Sequence, residues 1–215
     1  MAGVETVTNP QERKHMAKTV AVIGATGTIG QAVARRVGEY HKVIPVSRHS
    51  AVTVDMTDEQ SIRRFYEDNG PFDAVAVCAG YAPFDHVTSL KLDDFSAAAS
   101  GKLLGQISLV LNGMSHVNDG GSFTLISGIL AQCPVAGSAT ASAANGGIES
   151  FTVAASTELP RGQRINTISP TVLQESSQSH SLFRGFKQVP ASDVADAYLR
   201  SIDGVETGKI FRVWG

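Results

Sequence analysis

The chain predicts a doubly wound α/β fold, one parallel sheet of about seven strands with helices on both faces, and three observations predict it. Short apolar runs alternate with helix-period segments along most of the chain, as in parallel strands joined by crossover helices. The first of these runs, Val20-Ala21-Val22-Ile23, passes directly into the glycine-rich turn Gly24-Ala25-Thr26-Gly27-Thr28-Ile29-Gly30 and a helical pattern. A length of 215 residues, 42% of them hydrophobic, suits a single core large enough for a sheet covered on both sides.

Taken in order, strands are expected near 19–23, 42–46, 51–54, 73–77, 122–126, 164–168 and 209–213. Helices are expected near 28–38, 58–68, 88–115, 139–158 and 191–201. Asp58 ahead of Glu59-Gln60-Ser61 has the chemistry of a helix cap, and Leu159-Pro160 that of a helix stop. Gly146-Gly147 inside a helix costs about 1 kcal/mol per glycine relative to Ala, so close helix packing is expected there. The polar stretch 174–181 reads as a mobile loop placed to cover a ligand. Residues 1–15 read as a flexible extension, and 16–215 as one domain with no linker and no repeat.

Composition excludes several classes. A net charge of -2 gives no broad basic surface for nucleic acid. No run reaches the roughly 18 apolar residues of a membrane span, so a soluble protein is expected. Cys78 and Cys133 form neither a CxxC pair nor a disulfide framework, which fits a reducing cytoplasm, and no metal site is expected.

The glycine turn has the build of a phosphate cradle. Gly24 permits a tight turn, Gly27 lets the backbone approach a pyrophosphate, and Gly30 lets the helix pack closely on its strand. The helix start then presents unpaired N–H groups to the anion. In such sheets ligands lie beyond the carboxyl ends of the strands. The second strand ends Val46-Ser47-Arg48-His49, with no carboxylate for a ribose 2′-hydroxyl, and Arg48 is suited to a 2′-phosphate; the pattern favours NADP(H) over NAD(H). Asp55-Met56 is placed to hold an adenine amino group, and the small residues Cys78-Ala79-Gly80 let a ribose lie close.

Together these segments resemble the short-chain dehydrogenase/reductase family over nearly all of 18–215. The likeness rests on the glycine turn, Asp55, and Cys78-Ala79-Gly80 where the family has Asn-Ala-Gly. It continues through Gly121-Ser122-Phe123-Thr124-Leu125-Ile126-Ser127-Gly128, Ile148-Glu149-Ser150-Phe151, Ala155-Ser156-Thr157-Glu158-Leu159 and Arg164-Ile165-Asn166-Thr167-Ile168-Ser169-Pro170-Thr171. The resemblance implies a Rossmann-type sheet with cofactor contacts that also include Thr26, Thr28, Ile29, Asn145, Pro170 and Val172. It implies a small-molecule substrate and a homodimer or homotetramer. Lys102, by its spacing to Gly105, stands near the place of a family Asn that helps relay protons.

The chain departs from the family at its chemistry. Family members reduce carbonyls with a Ser at the end of the fifth strand and a Tyr and a Lys one turn apart on the next helix. Those positions fall on Gly128, Ala141 and Asn145, or, with the register shifted by one, on Ser127, Thr140 and Ala144. No Tyr lies between Tyr81 and Tyr198, so no slip restores the phenol. Three readings stand. The first is hydride transfer with another proton donor, for which Lys102, Tyr81, Asp85 and His86 are candidates, with Ser127 as a further catalytic candidate. The second is a non-redox isomerase, lyase or cyclase positioned by Ser127, Ser138, Thr140, Ser142 and Asn145. The third is an inactive NADP(H)-sensing or partner protein. Cys133, in the loop after the fifth strand, has no adjacent base to make it a nucleophile.

Overall fold

A computed structural model describes residues 17–215, so the expected extension at 1–15 lies outside the described residues. Seven strands form one sheet: β1 (Thr19–Ile23), β2 (Lys42–Ser47), β3 (Val52–Thr53), β4 (Phe72–Val77), β5 (Val117–Ile126), β6 (Arg164–Pro170) and β7 (Ile210–Val213). All pair in parallel, in the order β3-β2-β1-β4-β5-β6-β7. The chain steps outward from β1 to β3, then returns to place β4 on β1's other side, which puts a topological switch beside the first strand.

Among the described residues six α-helices cross between the strands: α1 (Thr28–Gly38), α2 (Glu59–Asn69), α3 (Leu92–Ala98), α4 (Gly105–Gly113), α5 (Ala139–Ala155) and α6 (Ala191–Asp203). Apolar side chains from alternating strand positions feed two cores. Ala21, Ile23, Val75, Val77, Phe123 and Leu125 join α2, α4 and α5 on one face. Val20, Val22, Ala74, Ala76 and Ile168 join α1 and α6 on the other. Each fully buried Val, Leu, Ile or Phe contributes about 1.5–3 kcal/mol, so the two-sided sheet is the main source of stability. Phe65 stacks on Phe72 with ring centroids 5.4 Å apart, and buried Tyr66 donates to the Leu109 carbonyl at 2.7 Å, fastening α2 to α4.

Local chemistry behaves as read at Asp58, whose carboxylate accepts from the Gln60 N–H at 2.9 Å and caps α2. The single helix expected over 88–115 is a correction: it is α3, a π-helical turn over Ala99–Leu104, and α4. The wider turn shifts the helix phase, so Lys102 and Leu103 sit where neither flanking helix would have put them. Likewise α5 ends at Ala155, ahead of a 3-10 turn at Pro160–Gly162. Gly147 does have a packing reason, since a Cβ there would stand 3.0 Å from Leu103 Cδ2; Gly146 meets nothing. The polar loop is ordered in part, with a 3-10 turn at Ser177–Ser179 and a bridge between Leu173 and Val189. Among the described residues no helix is long and apolar enough to cross a membrane.

Candidate active site

The turn after β1 is shaped by contacts that only glycine allows. Gly24 has a φ of +82°, and a Cβ there would lie 2.8 Å from the Ala79 side chain. A Cβ on Gly30 would overlap the Gly24 carbonyl, so α1 can start this close to β1 only without one. The Gly24 and Ala25 N–H groups donate to the Val46 carbonyl at 2.8 and 3.1 Å, tying the turn to the end of β2. No side chain caps α1 at Gly27. Its first N–H groups beside Thr26, Thr28 and Ile29 therefore have no side-chain partner, the arrangement an anion completes. A cavity of about 770 Å³ opens from Thr26, Gly27 and Thr28 along α1 to Glu175 and the start of α6 at Ala191.

Beyond β2, Ser47 is buried and its hydroxyl accepts from the His49 N–H at 3.1 Å, whereas Arg48 is exposed. Asp55 faces it: hydrogen bonds from the Thr57 hydroxyl and N–H, and then the Arg48 charge, hold its carboxyl below the usual range. Met56 packs on the start of α4, where a Cβ on Gly105 would stand 3.0 Å from the Met56 Cβ. Cys78 lies beside Tyr198, whose hydroxyl donates to the Val77 carbonyl at 2.5 Å, and burial pushes the thiol up to about 12. Cys78 thus stays a protonated thiol. Pro170 ends β6, and the next residues bond outward, Thr171 N–H to the Val213 carbonyl at 3.0 Å and Val172 carbonyl to the Val189 N–H at 3.2 Å.

The site's centre lies beyond β4 and β5. β4 stops at Val77, and the side-chain amide of Gln106 takes over its ladder, accepting from the Ile126 N–H and donating to the Ile126 carbonyl, each at 2.9 Å. This clamp fixes the end of β5, and with it Ser127 and Gly128. Lys102, half-buried, runs its stem across Gly80, where a Cβ would stand 2.7 Å from Lys102 Cγ. Its ammonium donates to the Ser127 carbonyl at 3.3 Å. Loss of hydration on burial lowers its pKa to about 8. Ser127 reaches this point through its carbonyl, since its hydroxyl is turned to the Glu149 carboxylate at 2.8 Å.

Gly128 and Asn145 face each other. A Cβ on Gly128 would stand 3.2 Å from Asn145 Nδ2, which donates to the Gly128 carbonyl at 3.5 Å. Asn145 is buried, and among the described residues its Oδ1 has no partner; nor has the buried Thr171 hydroxyl. Ala141 lies one turn before Asn145 in an apolar cluster with Ile129 and Leu130, on which Cys133, Phe183, Phe186 and Trp214 pack. Tyr81 is 68% exposed, and its N–H donates to the Gly101 carbonyl. His86 is exposed and starts a turn, its carbonyl accepting from Ser89 and Leu90. The Asp85 carboxylate accepts from the His86 N–H. Ser138 accepts from Val135 N–H, and Thr140 donates to the Pro83 carbonyl, so both hydroxyls tie loops together. Among the described residues no group of three or more His, Cys, Asp or Glu side chains forms a metal site.

Sequence reasoning missed Glu149, Gln132 and Gln106. A signal existed for the first: Ala141, Asn145 and Glu149 recur every fourth residue and so share one face of α5. Gln106 and Gln132 carry none, because their partners are backbone and side chains far away in sequence.

The parallel sheet, the open glycine turn at its switch point and the side chains gathered beyond β4 and β5 define an α/β protein of the Rossmann type. The family model described as Enoyl-(Acyl carrier protein) reductase matches residues 14–207, and the chain belongs to the short-chain dehydrogenase/reductase family. It is similar to the crystal structure of the protein lin1944 from Listeria innocua, at 44% identity and a TM-score of 0.91, over 92% of this chain and 100% of that one. A small-chain dehydrogenase is 32% identical with a TM-score of 0.80, over 93% and 97% of the two chains. Another, solved in complex with NADPH, is 29% identical with a TM-score of 0.83, over 92% and 97%. No curated protein matches the chain.

Proposed function

We propose that this protein binds NADP(H) and uses it to interconvert a small carbonyl compound and its alcohol, with Lys102 as the proton donor in place of the family's tyrosine. The observation that carries this reading is the Lys102 ammonium, held 3.3 Å from the Ser127 carbonyl with its pKa lowered to about 8. A general acid works best with a pKa near the operating pH, and such a group contributes about 10²- to 10⁴-fold in rate. The bound dinucleotide supplies a hydride.

The residues present fit such a group. The uncapped start of α1 suits its phosphates, exposed Arg48 its 2′-phosphate, and the unpartnered Oδ1 of Asn145 and hydroxyl of Thr171 its sugar or amide groups. A dehydrogenase 29% identical to this chain was solved with NADPH, which supports the same choice. Calorimetric titration tests it: NADPH is expected to bind at micromolar concentration and NADH more weakly, and failure of both to bind below the millimolar range defeats the reading. Lys102→Ala is then expected to lower turnover far more than NADPH affinity.

The absence of a phenol, with Gly128, Ala141 and Asn145 at the family's reaction positions, favours a second reading, a non-redox enzyme or NADP(H) sensor. Product formation without change in nicotinamide absorbance selects the former, and NADPH binding without turnover the latter. Leu104, Leu111 and Val153, beside and on α4 and α5, are each more than half exposed, which supports a homodimer or homotetramer through these helices; light scattering gives the mass. Free Cys78 and Cys133 support a cytoplasmic setting.

A further inference from the structure

Glu149 is a carboxylate placed where packing alone does not call for one. It is only 8% exposed, on the inner face of α5 among Ala144, Ile148 and Thr152. Both its oxygens are engaged: Oε1 accepts from the Ser127 hydroxyl at 2.8 Å, and Oε2 accepts from the side-chain amide of Gln132. The two donors are neutral. Burying a carboxyl group this way is costly, and an apolar side chain would join α5 to β5 at lower cost.

Ser127 explains the arrangement. Its N–H donates to the Ile168 carbonyl at 2.9 Å, its hydroxyl to Glu149, and its carbonyl accepts from the Lys102 ammonium. The residue is pinned from three sides, and among the described residues its carbonyl is the one hydrogen-bond partner of the Lys102 ammonium. Around Lys102, Gly80 and Tyr81 follow β4, Ser127 and Gly128 end β5, and α5 brings Asn145 and Glu149; of these Tyr81 and Glu149 are the titratable groups. Among the described residues one of the three ammonium N–H bonds is used, leaving two for a ligand.

We propose that Glu149 is the positioning residue of Lys102: by holding the Ser127 hydroxyl it fixes the carbonyl that receives the ammonium. The inference rests on the reading of Lys102 as proton donor. Its test needs no substrate. The titration of Lys102 is followed on the full chain by pH-dependent labelling with acetic anhydride and peptide mass spectrometry. Wild type, Glu149→Gln, Glu149→Ala, Ser127→Ala and the Glu149→Ala/Ser127→Ala pair are compared, with folding checked by circular dichroism.

A positioning role predicts that Glu149→Ala raises the Lys102 midpoint by about one unit, a tenfold change in the protonated ratio, as the loosened amine regains water. Glu149→Gln, which still accepts from Ser127, leaves it unchanged. Ser127→Ala reproduces the rise, and the double substitution adds nothing further. A fall in both Glu149→Gln and Glu149→Ala overturns the proposal, because it marks a through-space charge effect. An unmoved midpoint in Glu149→Ala, or additive effects in the pair, overturns it too. Should Glu149→Ala not fold, Ser127→Ala decides alone, a rise supporting the proposal and no change defeating it. A failure of the NADP(H) reading appears elsewhere, as absent NADPH binding or a Lys102→Ala variant of undiminished turnover.

Discussion

Asn145 occupies the space in front of Gly128, its Nδ2 only 3.2 Å from where a Cβ on that glycine would stand. On the register that puts the family's serine and lysine at these two residues the positions are still neighbours, but one has no side chain and the other carries a neutral amide. The nearby cation is Lys102, whose ammonium reaches the Ser127 carbonyl at the end of β5 from the other side.

Lys102 is expected to leave a mark on stability, whatever its part in turnover. Its ordinary pKa of 10.5 falls to about 8 in the fold, so between those values the unfolded chain binds more protons and stability rises with pH. Lys102→Met, which keeps the stem over Gly80, is expected to stabilise the protein at pH 7 by on the order of 3 kcal/mol. Urea unfolding at pH 7 and again above the ordinary lysine pKa measures it, and the gain should shrink at the higher pH. Carbonyl reduction by the wild type should fall as pH rises through about 8.

Arg48 is exposed beyond β2 with no side-chain hydrogen bond of its own among the described residues, only the charge of Asp55 nearby. A charge-assisted bond to a 2′-phosphate is worth about 1.5–3 kcal/mol, so Arg48→Ala should weaken NADPH by roughly ten- to a hundredfold. NADH affinity should hardly change. Parallel titrations of the two dinucleotides give the ratio.

At Gly30 the expected effect is on both folding and binding. A methyl group there collides with the Gly24 carbonyl, which is backbone and part of the cradle. Gly30→Ala should cost about 2–3 kcal/mol by forced displacement and abolish tight NADPH binding. Chemical denaturation and calorimetry read the two losses.

Gln106 replaces the missing end of β4, and its removal strands the Ile126 N–H and carbonyl. Gln106→Leu keeps the volume but leaves both groups unpaired in the core, at a cost of about 2–4 kcal/mol. The same loss frees Ser127 from its neighbour, so the Lys102 titration should broaden or shift with it.

Much of the architecture was legible because it is written in local periodicity. Val20-Ala21-Val22-Ile23 is apolar at every position, as a strand buried on both faces must be, and the glycine spacing after it admits one kind of turn. Asp58 could be read as a cap because its partner, Gln60, is two residues away. The helix over 88–115 failed for the opposite reason. A π turn at Ala99–Leu104 costs local hydrogen-bond geometry and is held by contacts such as those of Leu103 with Gly147, a residue distant in sequence.

The same division runs through the site. Sequence alone determined a single α/β sheet and the glycine turn after its first strand, and it shows no tyrosine between Tyr81 and Tyr198, because each depends on residue type at short spacing. Tertiary structure decided that Lys102 meets the Ser127 carbonyl and that the Ser127 hydroxyl turns to Glu149. These contacts join three elements whose residues lie far apart along the chain. No local pattern encodes them, since their distances are set by how the sheet and helices pack.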